Sequence, residues 1–115
     1  MKNQSNYNDG FIYVYEEKEK KSDFAAPENV TGKDHLQIVM KLAYEESYKR
    51  EKDLEFAESH NKSLSMKVKT RMQEKVKKYH KIIIADIMYD IFEIDYDRKK
   101  QEMYLYMEEV RKNVK

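Results

Sequence analysis

Histidine is the side chain of this protein best suited to acid–base or metal chemistry near neutral pH, and the chain has three, His35, His60 and His80. They lie far apart in the sequence, and none is paired with another at the short spacing of a metal-binding segment. We interpret His35 and His60 as loop positions and His80 as a surface or edge residue that opens a strand. The sequence therefore predicts no metal site and no catalytic histidine.

Other reactive groups are also missing or too scattered to form a site. The chain has no cysteine, which excludes thiol nucleophiles and sulfur-ligated zinc. Its two glycines, Gly10 and Gly32, are too few for a phosphate-binding or dinucleotide-binding loop. Adjacent carboxylates such as Glu45 and Glu46 point to different faces of an element and are typical of a solvated surface. We expect no enzyme activity and no cofactor.

Lysine residues form one local basic group that could contact DNA phosphates. The whole chain carries 23 basic and 22 acidic residues, a net charge of +1, whereas a dedicated nucleic-acid binder usually has a basic surplus. We therefore favour the interpretation that these lysines lie on the solvent side of strands and turns, with passive contact to DNA as the alternative. The candidate residues are Lys67, Lys69, Lys75, Lys77 and Lys78.

Length and composition indicate one small globular domain. The chain has 115 residues, of which 40% are hydrophobic, enough for a single modest core. We predict a flexible N-terminal arm over residues 1–10, a single β-rich domain over 11–110, and a frayed tail over 111–115. The polar N-terminus and the lack of an apolar run of about 20 residues predict a soluble, non-membrane protein without a signal peptide.

The order of elements follows from the periodicity of apolar residues. Strands are predicted over residues 11–15, 38–44, 64–69, 80–84, 87–94 and 103–107, and a long loop over 16–34. A short helix is predicted to begin with Ser47 as its N-cap and to place Arg50, Leu54 and Ala57 on one face. Because the composition of residues 36–60 favours helix, one unbroken helix remains an alternative there.

Two strands carry more detailed expectations. In residues 87–94, Tyr89 and Ile91 share one face while Phe92 and Ile94 share the other, so this strand is either covered on both sides or shifts phase at a bulge. In the last strand, Met103, Leu105 and Met107 face the core. Tyr104 and Tyr106 then stand on the opposite side, where they contact another subunit or pack against a neighbouring element. The predicted core residues are Val68, Tyr89, Ile91 and Leu105.

Four short segments follow one another along the chain. They are an opening strand, a strand that runs into a Ser-x-x-Arg-Glu element, a Val-x-Thr-Arg strand end, and a Tyr-Asp-Ile strand followed by a polar turn and a final alternating strand. In this chain they are Phe11–Tyr15, Ala43–Glu51 with Ala57, Val68–Arg71, and Tyr89–Ile91 through Tyr106. In this order they resemble the phage head-tail joining proteins of the head-closure or stopper type. The chain departs from the family where Tyr44 replaces a usual tryptophan and Ala85-Asp86 replaces a common glycine.

This resemblance implies a small β-barrel or sandwich with a short helix and long loops, and it is the reason to divide residues 36–60 into a strand and a short helix. Copies of such proteins form a ring between the portal-adaptor complex and the tail, and the ring closes the channel after DNA packaging. It implies that the partners are the portal-adaptor ring protein and a tail-side completion or terminator protein. It also implies assembly in the bacterial cytoplasm and a final place at the head-tail interface of the virion. The candidate adaptor or channel residues are Lys20, Lys21, Phe24, Arg50 and Glu51.

A protein of a different class is the alternative. If residues 34–60 and 73–94 formed amphipathic helices, the chain would be a small helical regulator that binds DNA or another protein. A mainly β or mainly helical fold distinguishes the two.

Overall fold

The computed structural model describes residues 6–18 and 35–114. These residues form six strands and one helix, which confirms the prediction of a mainly β fold with a short helix. The strands are β1 (Gly10–Glu17), β2 (Leu36–Ser47), β3 (Met66–Arg71), β4 (Lys81–Ile84), β5 (Ile87–Asp97) and β6 (Glu102–Arg111), and the helix is α1 (Glu51–Ser59). The alternative in which residues 34–60 and 73–94 are helical is wrong. Most of the predicted loop, residues 19–34, lies outside the described residues.

The six strands close into a barrel in the order β1-β2-β3-β6-β5-β4, and every neighbouring pair is antiparallel. Its interior is filled by one apolar cluster that contains Val68, Tyr89, Ile91 and Leu105, so the predicted core is confirmed. Closure satisfies most strand edges within the chain. The barrel is thus a rigid body on which other groups can be held.

Strand β5 shifts phase at a bulge, which was one of the two predicted possibilities. Its register against β6 changes between Ile91 and Glu93, so that Phe92 is the additional residue. Ile91 and Ile94 consequently both pack in the interior, whereas Phe92 packs against a separate cluster outside the barrel. The expectation that Phe92 and Ile94 share a face is therefore wrong.

The turn between β4 and β5 has an unusual backbone. Ala85 and Asp86 have φ angles of 49° and 67°, in the left-handed region that favours glycine or asparagine. This is the point at which the family resemblance has a glycine. The two-residue turn keeps its conformation here because the ladders of β4 and β5 fix both of its ends.

The helix begins later than predicted. Ser47 is paired with Lys67 in the ladder between β2 and β3, so it cannot be an N-cap. Arg50 occupies that position, in extended conformation, and α1 starts at Glu51. Leu54 is 47% exposed and only Ala57 of the predicted helix face is fully buried. The single-helix alternative for residues 36–60 is also wrong, because residues 36–47 form a strand.

Two residues expected near the surface are buried. His80 is 3% exposed, and its Nδ1 accepts a hydrogen bond of 3.0 Å from the Lys77 N–H, because the chain turns back on itself before β4. Val114, in the tail predicted to fray, is fully buried beside Ile83 and Met88, and its N–H donates to the Asp86 carbonyl at 2.8 Å. The described end of the tail is thus anchored, since an apolar side chain closes a second small cluster outside the barrel.

A buried charge network beneath helix α1

Helix α1 packs on the outer surface of the barrel through a small apolar contact. Ala57 and Leu64 form a buried cluster with Tyr106, and Phe92 packs against it. The ring of Phe56 lies 6.4 Å from that of Phe92 and 6.5 Å from that of Tyr106. Because α1 has only nine residues, this apolar area is modest, and charged groups contribute the remaining contact.

Asp53 lies at the centre of that contact, with its side chain only 4% exposed. Lys67 on β3, itself 5% exposed, donates from Nζ to Asp53 Oδ2 at 2.8 Å. Arg50 donates from Nη2 to Oδ1 at 2.9 Å and from Nε and its backbone N–H to Oδ2 at 3.1 and 3.0 Å. Tyr106 on β6 donates to Oδ1 at 3.3 Å. The carboxylate therefore joins the helix start to two barrel strands through charge-assisted hydrogen bonds.

The electrostatic consequences are specific to each group. Burial by itself raises the pKa of Asp53, but hydrogen bonds from Arg50 and Lys67 outweigh it and hold that pKa well below its usual range. Burial, together with the Asp53 charge, raises the pKa of Tyr106 to about 12. Asp53 is thus ionised and Tyr106 is protonated at neutral pH, which is the combination that the observed hydrogen bonds require.

The contacts of Asp53 hold the start of the helix against the barrel. Its carboxylate accepts hydrogen bonds from Lys67, Arg50 and Tyr106. Within residues 6–18 and 35–114, no group of three His, Cys, Asp or Glu side chains is placed to hold a metal ion. Lys67 also lies 5.2 and 5.0 Å from the rings of Tyr104 and Tyr106, close enough for cation–π stabilisation.

Two surface clefts flank the network and share Asp95. The larger has a volume of about 390 Å³ and lies between the end of β2 and strands β3, β6 and β5. The smaller, about 240 Å³, lies between α1 and β5. Acidic, basic and tyrosine side chains line the larger cleft, among them Glu46, Asp95, Arg50, Lys67 and Tyr48, the last 78% exposed. Glu46 and Asp95 take part in none of the ion pairs found among the described residues. Such a lining is suited to contact with a protein surface.

The structure separates the five lysines predicted as a DNA-proximal group. Lys67 is buried in the network, Lys69 pairs with Glu45 at 3.4 Å, and Lys78 pairs with Glu93 at 3.3 Å. Of the five, Lys75 and Lys77 are exposed and take part in no ion pair within the part of the chain that the structure describes. For Lys67, both the favoured interpretation as a solvated side chain and the alternative of contact with DNA are wrong, because α1 covers the outer face of β3 at that residue.

The remaining candidate residues lie in different environments. Tyr106 is 5% exposed and packs under α1 of its own chain, which is the intramolecular alternative for that residue, whereas Tyr104 is partly exposed in the larger cleft. Arg50 caps α1 and Glu51 is exposed at its first position. Lys20, Lys21 and Phe24 lie outside the described residues.

Sequence reasoning missed Asp53 as the organising residue. The one local signal was its spacing from Arg50, three residues earlier, which is compatible with a reciprocal cap at a helix start. Nothing local indicates that Lys67, on the polar side of an alternating strand, is its partner, because that contact joins segments that are distant in the sequence.

Comparison with protein-family models and with curated proteins gives no match for this chain. In the parts of the chain that the structure describes, no helix has the length and apolar character needed to cross a membrane.

Proposed function

We propose that this chain is a structural subunit of the phage head-tail joint, of the head-closure type, which assembles into a ring and carries out no catalysis. The observation that carries the proposal is the position of the four segments that resemble that family. Each falls on an element that closes the barrel or attaches α1, in the same order along the chain.

The junction between β2 and α1 illustrates this correspondence. The arginine of the Ser-x-x-Arg-Glu element is Arg50, which caps the helix and binds Asp53. The threonine of the Val-x-Thr-Arg element is Thr70, which is fully buried and donates from Oγ1 to the Ala43 carbonyl at 2.8 Å. Thr70 thereby ties β3 to β2 just before the junction. These residues have structural tasks, as expected of segments that specify a scaffold.

The Tyr-Asp-Ile segment supports the same reading. Tyr89 and Ile91 are 7% and 5% exposed and pack in the barrel interior, and Asp90 between them pairs with Lys81 across to β4 at 2.7 Å. All three side chains act in packing or pairing of the barrel. A protein whose distinctive residues maintain shape is suited to form one layer of an assembly.

The proposed setting is the head-tail interface of a virion that assembles in the bacterial cytoplasm. The partners are a portal-adaptor ring on the head side and a completion or terminator protein on the tail side. The proposed adaptor contact is the segment between β1 and β2, with Lys20, Lys21 and Phe24.

Deletion of the gene from the phage or prophage that encodes it tests the proposal. We expect electron micrographs of lysates to show heads and free tails that fail to join, and plasmid-encoded wild-type protein to restore tailed particles. The double variant Lys20→Glu with Lys21→Glu is expected to keep the wild-type circular dichroism spectrum and yet fail to restore joining. A matched control, Lys62→Glu with Lys112→Glu, reverses two exposed lysines elsewhere and should restore it. A normal yield of tailed particles from the deletion would refute the proposal.

A further inference from the structure

The charges of this chain are balanced in number but segregated in space. Helix α1 has four acidic residues and one basic residue. Asp53 points inward to the network, while Glu51, Glu55 and Glu58 are exposed and take part in none of the ion pairs found among the described residues. We call these three glutamates the acidic helix face.

Most of this face opposes the stability of its own helix, although Glu51 lies in the first turn, where the helix dipole favours a negative charge. Glu51 and Glu55 are an i,i+4 pair of like charges, and Glu55 and Glu58 are an i,i+3 pair, each of which is unfavourable. Glu58 lies in the last turn, where the helix dipole favours a positive charge, and no basic residue is present there. Glu55 and Glu58 lie beyond the first turn and take part in no ion pair among the described residues, so an interaction outside the subunit accounts for them better.

A complementary surface lies at one end of the barrel. Residues 71–78 and 97–100 contain seven basic and two acidic side chains. The two segments are joined by the Met72 N–H, which donates to the Gln101 carbonyl at 2.9 Å, and by the ion pair of Arg98 with Glu74 at 3.2 Å. We call this surface the basic end. Its exposed lysines that form no ion pair with any residue of 6–18 or 35–114 are Lys75, Lys77, Lys99 and Lys100.

The two surfaces cannot meet within one subunit. Helix α1 packs where β3 begins, through Leu64 and Lys67, whereas the basic end is built from the loop that follows the last residue of β3, Arg71. A second copy of the chain, in contrast, presents the missing partner to each surface. An exposed apolar or aromatic side chain accompanies each one: Leu54, 47% exposed, on α1 and Tyr79, 70% exposed, beside Lys78.

We propose that the acidic helix face of one copy docks on the basic end of the next copy. Because the two surfaces differ, the contact is head-to-tail, and successive contacts close into a ring when the rotation between copies permits it. The contact should weaken as salt rises, since it is made of exposed charges. This inference rests on the proposed function for its biological role, but the contact itself is measurable with purified protein.

Charge exchange between the two surfaces tests the contact. One variant reverses the helix (Glu51→Lys, Glu55→Lys, Glu58→Lys) and the other reverses the end (Lys75→Glu, Lys77→Glu, Lys99→Glu). In analytical ultracentrifugation at about 50 mM salt, we expect wild-type protein to self-associate with an affinity about tenfold or more above that at about 500 mM. Each variant alone should remain monomeric, and an equimolar mixture should associate, because every contact between the two variants again joins opposite charges.

A second measurement does not depend on the helix variant folding. Equal amounts of unlabelled and ¹⁵N-labelled wild-type protein are treated with a carbodiimide, which joins lysines to carboxylates only at contact distance. Mass spectrometry should find mixed-isotope cross-links from Glu51, Glu55 or Glu58 to lysines of the basic end. Cross-links confined to single chains or to other surfaces, or a wild-type protein that stays monomeric at low salt, would overturn the contact.

Duplex DNA is the competing occupant of the basic end. If the end-reversed variant loses binding to a short DNA duplex but self-associates as the wild-type protein does, the basic end binds DNA and the proposal of a self-contact fails. The test of the self-contact and the test of the proposed function can succeed or fail independently. Mixed-isotope cross-links together with normal particles from the gene deletion would retain the contact and reject the head-tail role, and the reverse pair of results would do the opposite.

Discussion

Removal of the Asp53 carboxylate should destabilise the protein far more than removal of its buried partner Lys67. Asp53→Ala leaves the Lys67 ammonium, whose side chain is 5% exposed, without a counter-charge. An uncompensated buried charge of this kind costs about 3–5 kcal/mol, a large share of the roughly 5–15 kcal/mol that stabilises a domain. Lys67→Met keeps the apolar stem and leaves Asp53 bound to Arg50 and Tyr106, so it should cost only about 1–2 kcal/mol.

The double variant separates the cost of an unpaired ammonium from the cost of the lost hydrogen bonds. With Lys67→Met already present, Asp53→Ala no longer strands an ammonium, and Arg50, whose side chain is 45% exposed, can turn towards water. The double variant should therefore be more stable than Asp53→Ala alone, by about 1–3 kcal/mol of coupling between the two sites. Pairs of exposed charges rarely show a coupling free energy of this size, so the result would be specific to a buried pair.

Urea unfolding followed by far-ultraviolet circular dichroism measures these differences. With a slope of about 2 kcal/mol per molar, Asp53→Ala should lower the midpoint by about 2 M. Asp95→Ala is the control, an exposed carboxylate near the same helix that should change stability by less than about 0.5 kcal/mol. Equal costs for Asp53→Ala and Lys67→Met, or a double variant whose cost is the sum of the two, would refute a buried and coupled pair.

Three further perturbations test the barrel. Ile91→Ala opens a cavity in the interior and should cost about 2–5 kcal/mol in the same unfolding assay, whereas an unchanged midpoint would contradict the register of β5. Burial lowers the pKa of His80 below its ordinary value of 6.5, so the unfolded chain binds the proton more readily. The free energy of unfolding should be at its maximum above pH 6.5 and fall as the pH drops below it. His80→Gln should flatten this part of the dependence of stability on pH, measured by thermal unfolding. Ala85→Gly should stabilise the turn by about 1 kcal/mol, seen as a higher midpoint, because glycine adopts its positive φ without strain; a lower midpoint would count against that conformation.

The sequence was informative where the structure depends on local patterns. Alternation in β3 and β6 predicted that Val68 and Leu105 face the interior, and the conflict between Tyr89, Ile91 and the following apolar residues gave a bulge as one of two possibilities. These signals need only the period of two residues in a strand. Pattern reasoning therefore recovered most of the strands, whereas the division of residues 36–60 into a strand and a short helix depended on the family resemblance.

The remaining features depend on contacts between distant segments. Alternation assigns Lys67 to the solvent side, and it became buried only because a helix from another part of the chain covers that strand. Ser47 has the side chain of an N-cap, but its pairing with β3 extended the preceding strand through it. His80 and Val114 were misplaced for the same reason, since a loop and a chain end fold back over the barrel. The candidate site was missed because it is assembled from contacts between segments that are distant in the sequence.

The attachment of α1 has a consequence for the motions of the subunit. Hydrogen bonds among the strands close the barrel without any contribution from the helix, while α1 is held by one small apolar cluster and one carboxylate. Such a unit can detach while the barrel stays intact, so amide hydrogens of residues 54–60 should exchange through local opening at a lower free energy than those of β3 or β6. Acidification that protonates Asp53 would favour the open form. The subunit would then have two levels of stability. The barrel opens only at a high free energy, whereas α1 opens at a lower one and would be stabilised by contact with a neighbouring molecule.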